Sequence, residues 1–335
     1  MTHPRPETIH AALRLALRAP SVHNSQPWRW RQADGELHLH ADRSRHLPAT
    51  DPQSRALMLS CGAALHHVLV ALSALGWGSA VTYAPDPHDP DHLATIRLAR
   101  RAPTTTDICL TAAILLRRSD RRRFANSQVP RRYLRAAVDY AARFGAQVRP
   151  VTDASREQLG KLMHRAAEQH AGDAQYQVEL ASWSGRRHGH DGVPARNAAP
   201  VRAADTLPIR EFTDPVLLDA AGDTDAAEWL VVCTERDDDT ARLRAGETLS
   251  ALLLAATDLR LGTSIQTEPL GVPALREEIR FSLCDSSYPQ AMVRAGWMRA
   301  SAAPLPETPR RELADVFTDH TGGAHAPQGE GSPGA

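Results

Sequence analysis

Lysine is almost absent from this 335-residue chain: Lys161 is the only one, and the other basic residues are arginines. The bias fits a GC-rich coding sequence, so an arginine cluster counts as a site only where its surroundings support one. Basic and acidic residues balance at 39 each, which leaves no global field to draw nucleic acid or anionic lipid. Cys61, Cys109, Cys233 and Cys284 are widely separated and form no C-x-x-C pair, which argues against a zinc knuckle or a disulfide scaffold. The start carries no apolar signal segment and no apolar run of about 18 residues follows, so neither signal peptide nor membrane span is expected and the chain reads as soluble and cytoplasmic. A phosphate-cradling G-x-x-x-x-G-K-[ST] loop, a serine nucleophile elbow and a short solenoid repeat are missing as well. His188-x-His190 and His38-x-His40 lack the three or four converging ligands that a metal needs, so no metal is expected. The second pair fits a strand face turned to solvent, and His66-His67 reads as surface or core filler on a helix.

What is there is an ordinary globular composition, 42% hydrophobic and 23% charged, long enough for one large domain or two moderate ones. Ile9, Leu13, Ala16 and Leu17 fall at helical spacing ahead of Pro20. Trp28 to Trp30 and Leu37 to His40 read as a hairpin turned near Asp34-Gly35. Leu57, Cys61, Leu65, Val68, Leu72 and Leu75 form a buried helical stripe ended by Gly76 and Gly78. Strands are expected at Ala80 to Tyr83 and Ala94 to Leu98. In the second half, helices are expected at Arg131 to Ala142, Ser155 to Gln169 and Thr240 to Leu261, the last capped by Gly262. Val148 to Val151, Trp229 to Cys233 and Ala291 to Ala295 read as extended. The Gly/Pro/Ala/His-rich tail over 319–335 reads as disordered.

Three segments carry candidate chemistry. Between the first helix and the hairpin, Ser21, Asn24 and Gln26 concentrate hydroxyl and amide groups that suit a planar, heteroatom-rich ligand; equally, they suit a capped turn that satisfies its own backbone. Arg117, Arg118, Ser119 and Arg121 offer guanidinium forks and a hydroxyl to a phosphate monoester, or form a solvated basic turn. Gly262 to Glu268 leaves the long apolar helix as a loop. Ser182 to Thr213, rich in Gly and Pro, is too long to be structureless inside a compact domain without acting as a lid, a binding loop or disorder. Asp237-Asp-Asp239 reads as a helix N-cap.

Together these segments resemble the nitroreductase family of FMN enzymes, in its actinobacterial Acg-type branch. The match runs through Ser21-Val-His-Asn-Ser-Gln-Pro-Trp28, Asp42-Arg-Ser-Arg-His-Leu-Pro48, Ser60-Cys-Gly-Ala-Ala-Leu65, Arg117 to Phe124, Arg294-Ala-Gly-Trp297 and Thr308-Pro-Arg-Arg311. The resemblance implies an α+β fold of two fused nitroreductase-like halves, a pseudo-dimer, here 1–105 and 106–318 with a lid insertion at about 182–213. It implies one FMN between the halves, because the second half reads Arg143-Phe-Gly-Ala-Gln-Val148 where a second Asn/Gln motif would stand. The residues implied to hold that FMN are Pro20, Ser21, Asn24 and Gln26; Arg117, Arg118, Ser119 and Arg121; Ile265, Gln266 and Thr267 beside the ring; and Arg310 or Arg311 at the phosphate. Trp183 or Phe212 would stack from the lid. The implied activity is hydride transfer from NAD(P)H to flavin and on to a nitroaromatic or quinone acceptor, by a monomer, with no catalytic side chain required. The alternative is a lidded protein that stores or sequesters FMN with little turnover.

Overall fold

The computed structural model describes residues 3–186, 189–201, 205, 207–219 and 225–320; His188 and the expected tail beyond His320 lie outside these. Helix α1 (Pro6–Ala16) buries Ile9, Leu13 and Ala16 and stops before Pro20. Strands β1 (Trp28–Ala33) and β2 (Glu36–Ala41) form the hairpin, turned by Asp34 and Gly35 at φ +54° and +76°. Then come α2 (Arg55–Ala74), β3 (Trp77–Tyr83), β4 (His92–Arg100) and α3 (Thr105–Leu116). The later part runs α4 (Arg131–Ala141), β5 (Gln147–Pro150), α5 (Asp153–Gly172) and α6 (Ala174–Trp183), then β6 (Ser184–Arg186), β7 (Val193–Pro194) and β8 (Glu228–Thr234). It closes with α7 (Asp239–Asp258), β9 (Leu261–Gln266), α8 (Pro273–Leu283), β10 (Tyr288–Trp297), α9 (Leu313–Val316) and β11 (Phe317–Asp319).

Two mostly antiparallel sheets result, ordered β11-β1-β2-β4-β3 and β5-β8-β10-β9. The exception is β11, which lies parallel to β1 with Trp30 opposite Phe317, so the late chain returns to the first sheet. Between the sheets, α2 packs on α7. Helix α2 is long and apolar enough to cross a membrane, because His66, His67 and the serines interrupt its apolar run without lowering its average far. Some 83% of that stretch is buried, so it is the central helix of the fold. Leu57, Cys61, Leu65, Val68 and Leu72 are all at most 1% exposed, whereas Leu75 lies beyond the helix and is 41% exposed.

The α2–α7 crossing has an approximate two-fold symmetry written in the numbering. A Cβ on Gly62 would lie 2.0 Å from the Leu243 carbonyl oxygen, and one on Gly246 would lie 2.2 Å from that of Leu59. His66 meets Ser250, and all three pairs of equivalent positions are 184 residues apart. Equivalent positions contacting one another reciprocally are the mark of an isologous interface, here inside one chain. Substituting Gly246→Ala gains about 1 kcal/mol of helix propensity but forces the helix backbones apart. We expect the clash to win, with a net loss on the order of 2 kcal/mol in urea denaturation; a stabilised variant would show that the helices separate freely.

Four expectations are corrected. Helix α7 ends at Asp258 and turns through Arg260 at φ +65°, not at Gly262. Gly262 instead lies in β9, where a Cβ would come 2.7 Å from the Phe124 ring, so 262–266 is strand and not loop. The stretch from Ser182 to Thr213 is partly structured: it begins within α6, and β6 and β7 pair in a short parallel ribbon followed by a 3-10 turn at Ala195–Asn197. His38 is 7% exposed and does not face solvent, because His92 and Thr95 of β4 cover it. His66 and His67 are fully buried core residues.

Candidate functional site

The turn after α1 is held in a costly backbone conformation. His23, Asn24 and Gln26 all have positive φ, at +45°, +56° and +51°, a region non-glycine residues enter at a cost of roughly 1 kcal/mol each or more. Side chains hold it there. Ser60 Oγ on α2 accepts from the Val22 N–H at 3.1 Å, and Ser21 Oγ accepts from the Gln26 N–H at 3.0 Å. The strained turn thereby presents Pro20, Ser21, His23 and Asn24 to a cavity walled also by Ala56, Leu59 and Ser60 of α2 and Leu249 of α7.

The basic turn after α3 forms the second wall. Asp120 anchors it: its carboxylate accepts three bonds from Arg122, at 2.9 to 3.0 Å, both side chains being buried. The Asp120 N–H donates to the Thr263 carbonyl at 2.8 Å, and Ser119 bridges to the same residue of β9. Arg117, Arg118, Ser119 and Arg121 therefore line the cavity, with Ile265, Gln266 and Thr267 at the end of β9. A strap between β10 and β11 adds Arg310, and the region after α6 adds Val193, Asn197, Ile209, Arg210 and Phe212.

Electrostatically the cavity is crowded with cations. The Arg117 side chain is 5% exposed and its Nε has no hydrogen-bond partner. Burial, then the neighbouring Arg118, Arg18 and Arg121, push its pKa down to about 10. Burial, then Arg117, Arg18 and Arg118, push Arg310 down to about 9, and the Arg310 Nε is likewise buried and unpartnered. Glu307, an exposed residue, is the acid that Arg18 and Arg118 share, at 2.8 and 2.6 Å.

Two implied site residues stand outside the cavity lining. Gln26 donates to the carbonyls of Asn24 and His190 at 3.2 and 2.8 Å, and its Oε1 accepts from the Arg311 N–H at 2.9 Å. Arg311 itself lines a separate depression with Arg14 and Leu17, and donates to the Gln26 carbonyl. Asn24 lines the cavity, yet its amide donates to the carbonyls of Gly192 and Pro309 at 3.1 and 3.0 Å and its Oδ1 accepts from Arg310 at 3.0 Å. Trp183 lies under Arg45, whose guanidinium carbon is 5.4 Å from the ring centroid, and is not part of the lining, whereas Phe212 is.

The equivalent place in the second half is filled. Arg244, 184 residues beyond Ser60, lays its guanidinium where a Cβ on Gly145 would fall. It donates to the Tyr83 hydroxyl, which donates in turn to buried Glu247 at 3.0 Å. Burial pushes the Glu247 carboxyl up to about 7.

No protein-family model matches the chain. The Mycobacterium tuberculosis (strain H37Rv) protein named "Putative NAD(P)H nitroreductase Rv3131" is 43% identical over 320 residues, covering 94% of this chain and 92% of its own. "Putative NAD(P)H nitroreductase acg" of the same strain is 34% identical over 318 residues, covering 93% and 95%. The chain belongs to the nitroreductase family. The solved structure of a "putative nitroreductase from Anabaena variabilis" aligns with this nitroreductase over 89% of its chain and 90% of the other, at TM-score 0.50 and 10% identity. That likeness is one of fold, and it spans both halves. The fold is α+β and nitroreductase-like, with two halves fused. Four ionisable lining residues were given no role from the sequence: Arg18, His23, Arg210 and Glu268. His23 and Arg18 were within reach, one inside and one just ahead of the Asn/Gln motif; nothing in the pattern around Arg210 marks it.

Proposed function

We propose that this nitroreductase binds FMN in the cavity between its halves and works as a monomeric, cytoplasmic NAD(P)H-dependent oxidoreductase on nitroaromatic or quinone acceptors. The halves divide near residue 105. The observation that carries the reading is the cluster of buried Arg117 with half-buried Arg18, Arg118 and Arg310, cations matched among the described residues by one exposed carboxylate. A phosphate monoester brings the missing charge and the acceptors for the unpartnered Arg117 and Arg310 Nε groups. Pro20 and Ser21 would meet the flavin from one side and Ile265, Gln266 and Thr267 from another. Bound flavin supplies the chemistry, taking a hydride from NAD(P)H and passing two electrons to the acceptor; the protein's part is to bind, orient and control access. The names of the mycobacterial relatives support the reductant.

One observation favours a second reading, FMN storage. The amides of Asn24 and Gln26 tie the backbone at His190 and Gly192, and the strap at Pro309 and Arg311, over the cavity. Held shut, that cover leaves no face for nicotinamide; opening on the turnover timescale restores one. The deciding experiment is an anaerobic titration of the FMN-loaded protein with NADPH, followed through the flavin's visible band. Bleaching supports the oxidoreductase; a band that dithionite bleaches and NADPH leaves untouched supports storage.

A further inference from the structure

A single flavin phosphate does not account for the positive charge around this cavity. Six arginines line it: Arg18, Arg117, Arg118, Arg121, Arg210 and Arg310. Against them, among the described residues, stand Glu307 and the buried Glu268. Asp120, next to Arg121, spends both oxygens on Arg122. A phosphate monoester brings a charge of about −1.5 to −2, so about two positive charges are left unmatched.

One of the two is left at a definite place, where Arg121 and Arg210 are matched in the lining by Glu268. Arg18, Arg117, Arg118 and Arg310 gather where the α3 turn meets the strap. Arg121 and His23 pack instead on Phe212: the Arg121 guanidinium carbon is 4.8 Å from the ring centroid, and the His23 ring meets Phe212 edge-on at 5.7 Å. Arg210 is 7% exposed and donates to His23 Nε2. That bond makes His23 an acceptor at Nε2 and puts its proton on Nδ1, which is buried and without a partner. Arg210 Nε also makes no hydrogen bond; the nearest carboxylate oxygen, Glu268 Oε1, is 3.9 Å away and accepts from His170 at 3.3 Å. An aromatic ring, two guanidinium groups and two buried N–H groups without hydrogen-bond partners lie together here, a set that matches an aromatic carboxylate.

We propose that Arg210, with Arg121 and His23 beside it, forms an anion subsite that selects acceptors carrying a carboxylate on the aromatic ring. The proposal rests on the flavin reading above, since it assigns the phosphate to the other arginines. The same donors suit a phosphate of the nicotinamide dinucleotide, and the test separates the two sources. Isothermal titration of the FMN-loaded protein with benzoate, and with its neutral isostere benzamide, reads binding without turnover. Benzoate is expected to bind roughly 10- to 100-fold more tightly than benzamide. Arg210→Met is expected to erase that preference without changing benzamide affinity. Arg210→Lys is expected to restore part of it, since a point charge lacks the fork, and it serves alone if the Met variant does not fold.

Equal affinities in the unsubstituted protein, or a preference that survives both substitutions, would overturn the subsite. So would an Arg210 variant that weakens NADPH binding and leaves benzoate unaffected, which assigns the donors to the dinucleotide. Flavin content, measured on each preparation by its visible absorbance, tests the underlying reading separately. Protein that cannot be loaded with FMN defeats that reading, and an anion preference lost in Arg210→Met with flavin retained speaks to the subsite alone.

Discussion

Arg117→Met protein is expected to purify with little or no flavin. The Arg117 guanidinium is buried, its one hydrogen bond is a 3.4 Å contact to the Arg18 carbonyl, and its neighbours are cations. In the flavin-free protein it therefore costs stability, since burial and repulsion both oppose its charge. With phosphate present, it becomes half of a buried, charge-assisted pair. Truncating one partner of such a pair costs roughly 2–5 kcal/mol, or about 30-fold to several thousandfold in affinity. The two effects have opposite signs, which makes the test sharp. The FMN dissociation constant, from quenching of flavin fluorescence, should rise steeply, while the melting temperature of the flavin-free variant stays level or rises. Lys at this position should recover part of the affinity, because it restores the charge without the fork. A destabilised apo-protein with normal FMN affinity would make Arg117 a structural residue.

Acid should weaken this fold from pH 6.5 downward, before most carboxylates protonate. Burial pushes His66 down to about 3 and holds His67 and His23 well below the ordinary imidazole range. His92 is pushed down to about 4 by burial and by His40 and His38, which are themselves lowered. As pH falls through 6.5 the unfolded chain gains a proton at each of these positions and the native chain does not. The stability that these histidines contribute is therefore complete above pH 6.5 and is lost as pH falls towards their folded values, about 3 for His66 and about 4 for His92. The loss is up to about 1.4 kcal/mol per pH unit for a fully buried group and less for the less deeply buried His38, His40 and His92. Glu247 works the other way: raised to about 7, it favours the fold as pH drops from 7 to 4.5. One carboxyl offsets about one histidine and stops helping below 4.5. His66 and His67, both fully buried against Ser250 at 2.7 and 2.8 Å, would alone give a slope of up to about 2.7 kcal/mol per pH unit. That is large beside a typical total of about 5–15 kcal/mol. Urea denaturation at pH 7.5, 6 and 5 should show the loss, and the His66→Gln, His67→Gln double variant should show a shallower one. An unchanged slope in that variant would place the titrating groups elsewhere.

The elements that the sequence made legible are those whose period is imposed by one buried face. The α2 stripe is an example, since Leu57, Cys61, Leu65, Val68 and Leu72 all face the core. The turns at Ser21 and Ser119 were legible for a different reason, as both concentrate polar groups between periodic segments. What failed were inferences from a residue's usual habit. Glycine commonly ends helices, but Gly262 is needed where the Phe124 ring presses on β9, and the left-handed turn falls to Arg260. Strand alternation correctly put His38 and His40 on one face; it could not say that β4 would raise His92 and Thr95 over that face. Amides in the Asn/Gln motif suggested ligand contact. Gln26 instead spends its amide on backbone from positions 190 and 311, partners so distant in sequence that no local pattern announces them.

The late return of the chain to β1 bears on how a cell makes this protein. Ser21, Arg117 and Ile265 emerge from the ribosome in that order, and the strap with Arg310 follows only after β10 has been synthesised. Until then the nascent chain has three walls of the cavity without the fourth, and β1 has a free edge where β11 will pair. If the cavity holds FMN as proposed, loading is completed only at the end of translation, once the strap with Arg310 closes the last wall.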